Sequence, residues 1–174
     1  INDPYASSVH EGRIQHGLYG GKAPHNPQYV QWQSVIDITA ECGDPDQFGY
    51  LDAAEYLAGV ALVAAQRYLS ATLPSSGLSK KEALDLPPTL PSGQTCVALI
   101  NGAANFWKHG EEWSDPPTIQ QALTARTVES AGIEAQEYVC TEALAALVGL
   151  EQRPFLRLRE LLAEWRAYVV GKWG

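Results

Sequence analysis

At 174 residues with 45% hydrophobic content, the chain is long enough for one domain with a sizeable core. A formal net charge of −8 and a pI near 4.9 exclude a general polyanion coat, because phosphate affinity comes from counterion release by clustered cations and the twelve Lys and Arg are scattered. No apolar run reaches the roughly 18 residues of a membrane-spanning helix, so no membrane association is expected.

Residues 1–28 carry Gly12, Gly17, Gly20, Gly21 and three of the four histidines, His10, His16 and His25, without a sustained helical or strand period. They read as an irregular N-terminal arm, with residues 29–174 forming a single helical domain. The histidines follow no helical face and have no acidic or thiol partner beside them, so they read as solvated loop residues rather than metal ligands. The glycines of Gly17-Leu-Tyr-Gly-Gly-Lys22 lack the spacing and the hydroxyl residue of a phosphate loop.

From Pro27 the texture changes. Tyr29, Trp32, Val35, Ile36 and Ile38 are spaced for an amphipathic first helix ending near Cys42. Asp52-Ala-Ala-Glu55 has the form of a capping box and predicts the start of a second helix. Along it Leu57, Val60, Ala61, Ala64 and Tyr68 line one face, while Tyr56, Leu62 and Val63 make the rest largely apolar, which places the helix at the centre. Residues 70–95 form a Pro/Ser-rich loop with a short capping signal at Ser79-Lys-Lys-Glu82, of a length that suits a lid over the next helix, a binding loop or a loosely ordered insertion.

That next helix opens at Thr95 and stops around Gly110. Asp115-Pro-Pro-Thr118 marks a further start, with Asp115 as the cap and proline at the first position, and the helix runs through Ile119, Leu123 and Val128 to Gly132. A shorter segment, Thr141 to Leu147, is closed by Gly149. Pro154 begins the last helix, where Phe155, Leu158, Leu162, Trp165 and Val169 recur at three- and four-residue steps. Ile133 to Val139 has strand character but no second strand to pair with. The expected fold is therefore all-α, a single-domain bundle of five or six helices.

Chemistry-bearing residues concentrate in one stretch, Asn101-Gly-Ala-Ala-Asn-Phe-Trp-Lys-His-Gly-Glu-Glu-Trp113. Wound at about 100° per residue, Leu99, Ile100, Ala103, Ala104, Phe106 and Trp107 share a broad apolar side. Asn101, Asn105, Lys108 and Glu112 form a narrow polar stripe with His109 at its margin. One reading is a helix C-terminus in which Lys108 and His109 complement the backbone dipole. The other is general acid–base chemistry: His109 moves the proton, Asn105 orients a phosphate or water, and Lys108 offsets negative charge. Asn101, Glu112 and Trp113 flank these three as candidate substrate contacts. His109 and Glu112 have no second histidine at a paired helical position, so neither a metal nor a cofactor is expected. Cys42, Cys96 and Cys140 match neither a zinc spacing nor a disulfide framework. With no signal-like leader, they suggest buried thiols in a reducing cytoplasm.

The Lys108-His109 pair ending an amphipathic helix, preceded by Asn101 and Asn105 and set in a helical bundle, resembles the HEPN superfamily over residues 95–115. That resemblance implies a small all-α protein, commonly a dimer. It further implies either a metal-independent ribonuclease of a toxin, anti-phage or CRISPR system or a non-catalytic binding module. The family's hallmark is an arginine followed, after four to six residues, by histidine. His109 matches, while the arginine positions hold Ala104, Ala103 and Gly102. A lysine is not an equivalent phosphate fork, so the resemblance fits a binding member as well as a nuclease; from the acidic charge and the fold class, the expected function is a self-associating, antitoxin-like or defence-associated interaction module. The alternative is an RNA-cleaving enzyme or phosphodiesterase that uses His109.

Overall fold

Helices account for all the regular structure described in the computed structural model, which covers residues 49–135, 138–149 and 153–171. Among these residues are six α-helices: α1 (Tyr50–Thr72), α2 (Lys80–Leu84), α3 (Cys96–His109), α4 (Ile119–Glu129), α5 (Val139–Val148) and α6 (Pro154–Gly171). Two 3-10 turns, Leu73–Ser75 and Gly110–Glu112, extend α1 and α3. The N-terminal arm and the first amphipathic helix expected from Tyr29 to Cys42 lie outside the described residues.

Entry to α1 corrects the expected Asp52–Glu55 capping box. The cap residue is Gly49, in the left-handed region at φ 67°, and no side chain caps the helix. The buried stripe also differs from the expected face. It runs Ala54, Ala58, Leu62, Ala65 and Leu69, while Leu57, Val60, Ala61 and Tyr68 are half-buried and Ala64 is exposed. A helix apolar around most of its circumference does not select a face by hydrophobicity. The small residues select it here by allowing α3 to approach closely.

α3 begins where Thr95 Oγ1 accepts from the Ala98 amide at 3.3 Å. Val97, Leu99, Ile100, Ala103 and Ala104 are at most 1% exposed, and the helix packs against α1, α4, α5 and α6. Phe106 and Trp107, on its expected core side, are only half-buried at the edge of that core. Against α4 the approach is so close that a Cβ at Gly102 would lie 2.9 Å from Thr127 Cγ2. Gly110 does not reverse the chain in a left-handed conformation but continues at φ −57° into the 3-10 turn.

Thr118, not Asp115, caps α4. Its hydroxyl accepts from the Gln121 amide at 3.3 Å, and Gln121 Oε1 accepts from the Thr118 amide at 2.7 Å. This reciprocal pair satisfies two otherwise orphaned donors, an arrangement that Asp115, three residues earlier, is too far from the helix to make.

α5 is longer than expected at both ends and receives its cap from another helix. Cys140 N donates to Glu55 Oε1 at 2.8 Å, and Thr141 N and Oγ1 donate to Glu55 Oε2 at 2.7 and 2.9 Å. Glu55 thus ties α1 to the N-terminus of α5, where a carboxylate also meets the favourable end of the helix dipole.

In α6 the buried residues are Pro154, Leu158, Leu161, Trp165 and Val169, with Phe155 and Leu162 half-buried at the margin. The fully buried Trp165 donates its indole N–H to the Ala83 carbonyl at 2.9 Å. Ala83, Leu86 and Leu90 are buried as well, so the Pro/Ser-rich connection belongs to the core and is not a detached lid. The expected capping box at Ser79 and Glu82 does start α2. No strand occurs among the described residues; the isolated bridge between Thr89 and Thr95 is the sole strand-like pairing there.

Candidate functional site

The polar stripe of α3 divides into a seam and a cleft, which meet at Asn105. On the seam side it faces Gln66 of α1, a carboxamide left only 7% exposed by the buried stripe around it. Gln66 Nε2 donates to Asn105 Oδ1 at 2.8 Å, to Asn101 Oδ1 at 3.1 Å and to the Asn101 carbonyl at 3.3 Å. Gln66 Oε1 accepts from Lys108 Nζ at 2.7 Å. Buried amides are costly unless bonded, and this network supplies the partners. Partial burial, reinforced by the nearby charges of Lys80 and Arg67, lowers the proton affinity of Lys108.

On the cleft side, α3, the 3-10 turn and the start of α4 enclose about 310 Å³, lined by Asn105, His109, Glu112, Trp113, Thr118 and Gln121, with Gln120 and Thr124 beside them. His109 Nδ1 lies 3.2 Å from Glu112 Oε2, and their side chains are 55% and 74% exposed. At that exposure the pair orients the imidazole rather than stabilising the fold. Trp113 meets Phe106 edge-on, with ring centroids 4.8 Å apart, and so closes the turn between the two helices. Ser114 Oγ donates to the Pro116 carbonyl at 2.9 Å and to Gln121 Oε1 at 3.1 Å, which holds the rim in place.

Of the six residues singled out in the sequence, Asn105, His109, Glu112 and Trp113 line this cleft together. Asn101 and Lys108 lie on the seam with Gln66. No lysine or arginine is among the residues lining the cleft. Its chemical repertoire is an imidazole–carboxylate pair, uncharged amides, hydroxyls and one indole. Such a set can move a proton or hold a polar group, but it offers no fixed cation for a phosphodiester. Among the described residues no cluster of three or more His, Cys, Asp or Glu is arranged to hold a metal ion.

Sequence reasoning missed Gln66, Thr118, Gln121 and Thr124. Gln66 had a signal: it is the polar residue set between Ala65 and Leu69 on the stripe that packs against α3. Thr118, the cap of α4, and Gln121 and Thr124 within it had none, because their contribution depends on the turn that folds α4 back beside α3.

Comparison of this chain with known protein families, with curated proteins and with solved structures finds no match. No helix among the described residues is long and apolar enough to cross a membrane.

Proposed function

We propose that the protein is a helical interaction module that pairs with a second copy of itself through the outer face of α4. The observation that carries this reading is the exposure of Ile119 at 84% and Leu123 at 49%, one helical turn apart on a helix that packs chiefly against α3. From Pro116 to Val128 the one charged residue is Arg126, in a chain whose net charge is −8. Two copies meeting there bury apolar area without bringing acidic groups together, and interface cores are depleted in charge for that reason. A two-fold pairing also gives a closed assembly. An acidic pair of this kind suits an antitoxin-like or defence-associated role in the cytoplasm, masking the basic face of a nucleic-acid enzyme.

Sedimentation equilibrium tests the pairing. The expected mass is twice the 18.9 kDa of the chain, and Ile119→Lys combined with Leu123→Lys gives the single-chain mass with an unchanged far-UV spectrum. A parent protein that stays at the single-chain mass at high concentration overturns the reading.

A second reading, a metal-independent ribonuclease or phosphodiesterase, draws on the cleft shared by Asn105 and His109 and on the carboxylate 3.2 Å from the imidazole. There His109 is the acid or base, Asn105 the positioning amide and Lys108 a more distant electrostatic partner. The lack of a cation among the lining residues weighs against it. RNA cleavage in chelator, lost in His109→Ala, is its expected signature; equal cleavage by parent and variant discards it.

A further inference from the structure

We propose that the seam between α1 and α3 is a phosphate-binding site, in which Lys108, Arg67 and the side-chain amide nitrogens of Asn101 and Asn105 hold a dianionic phosphate group. This goes beyond the pairing through α4 and does not depend on it.

The argument is an inventory of donors and acceptors around Gln66. Its Nε2 occupies the Oδ1 atoms of both asparagines, and its Oε1 is taken by Lys108 Nζ. Every carboxamide oxygen in the network is therefore engaged. What remains are donors: the Nδ2 groups of Asn101 and Asn105, which point away from oxygens already turned toward Gln66, and the other N–H bonds of Lys108. None of these has a protein acceptor among the described residues. A surface that has used its oxygens internally and kept its N–H groups is complementary to an anion.

Charge gives a second, independent argument. Arg67 follows Gln66 in α1 and is exposed. The ion pairs among the described residues are His109–Glu112 and those of Arg157 with Glu160 and Glu164, so Lys108, Arg67 and Lys80 have no acidic partner there. Glu82, the acid beside Lys80 in α2, directs its carboxylate to the amide and hydroxyl of Ser79 at 2.9 and 2.7 Å. The charges that perturb Lys108 are both positive, and among the described residues no carboxylate offsets them. Three cations without a counter-ion among the described residues, on a chain of net charge −8, form a local positive field that an arriving dianion relieves. Two or more positive charges favour a dianion over a singly charged carboxylate.

Calorimetric titration of the whole protein with inorganic phosphate at pH 8 tests the site, with sodium acetate at matched ionic strength as the competing arm. Phosphate is expected to bind at least about tenfold more tightly than acetate, a difference of roughly 1.4 kcal/mol. Lys108→Gln is expected to weaken phosphate binding by about tenfold or more, and Arg67→Gln, at an exposed position, by a smaller factor. Arg166→Gln, on α6, leaves it unchanged. Equal affinity in the parent and both seam variants overturns the proposal, as does no heat above the acetate control. If the Ile119/Leu123 double variant is monomeric and still binds phosphate, the site stands apart from pairing; if pairing fails and binding persists, only the α4 reading is lost.

Discussion

The indole of Trp107, on α3, occupies the space above Gly59 of α1 that a side chain there would need. A methyl carbon at Gly59 would lie 2.4 Å from Cε2 and Nε1 of the indole ring, which also meets Tyr56 edge-on at 5.8 Å between centroids. In an open helix, replacing glycine by alanine stabilises by about 1 kcal/mol. Here the sign is expected to reverse. Gly59→Ala costs about 1–3 kcal/mol by overpacking a rigid ring, measured as a lower urea midpoint. In a Trp107→Ala background the same substitution is expected to become neutral or stabilising, and the double-mutant cycle isolates the clash.

Gln66→Leu keeps the volume of the side chain and removes its polar atoms. It leaves the oxygens of Asn101 and Asn105 facing an apolar group and strips Lys108 Nζ of its acceptor. The expected loss is about 1–3 kcal/mol, the desolvation penalty of unsatisfied polar groups. Gln66→Glu instead offers Lys108 a charge but withdraws the Nε2 donor from both asparagines, so it does not restore the parent. Urea denaturation of the two variants checks the ordering.

Glu55→Gln replaces the carboxylate that caps α5 with an amide, which has one oxygen for the three donors of Cys140 and Thr141. A loss of about 1–2 kcal/mol is expected, in the range of helix caps. Hydrogen exchange locates it: protection falls first at the amides of residues 140 and 141. Uniform loss of protection across all helices would show that Glu55 acts elsewhere.

Burial, followed by the nearby charge of Glu55, pushes the Cys140 thiol far up, and burial followed by Glu164 raises that of Cys96. In the unfolded chain both titrate near ~8.5. Above that pH the unfolded state releases protons that the folded state retains, so it binds fewer and stability falls as pH rises. The contribution is complete below the unfolded thiol pKa and is lost progressively toward the raised folded values. Urea midpoints between pH 7 and 10 are expected to decline, with a shallower slope in Cys140→Ala. A slope unchanged by that substitution would remove Cys140 as the cause.

Element identity was legible wherever a local signal acts alone. Thr95 and the Ser79–Glu82 capping box mark helix starts through backbone donors within one turn of themselves, Pro154 through a ring that fixes φ and lacks the N–H a first turn would leave unpaired, and the structure uses all three. Asp115 misled because a cap is decided by which hydroxyl or carboxylate reaches the third amide, and Thr118 does so with Gln121 answering. Asp52 and Glu55 misled for a longer-range reason, since Glu55 serves a helix 85 residues away.

For the candidate site, the sequence alone settled that α3 would carry Asn101, Asn105, Lys108 and His109 along one edge, because a helical period fixes angular positions once a segment is known to be helical. Only the tertiary structure decided what that edge faces. Packing against α1 turned Asn101, Asn105 and Lys108 toward Gln66, and the turn into α4 placed His109 and Glu112 beside Trp113. Periodicity records where a side chain stands on its own rod. The partner it meets depends on which rods approach closely, and that is set by small residues such as Gly59 and Gly102, whose effect exists only when two helices are together.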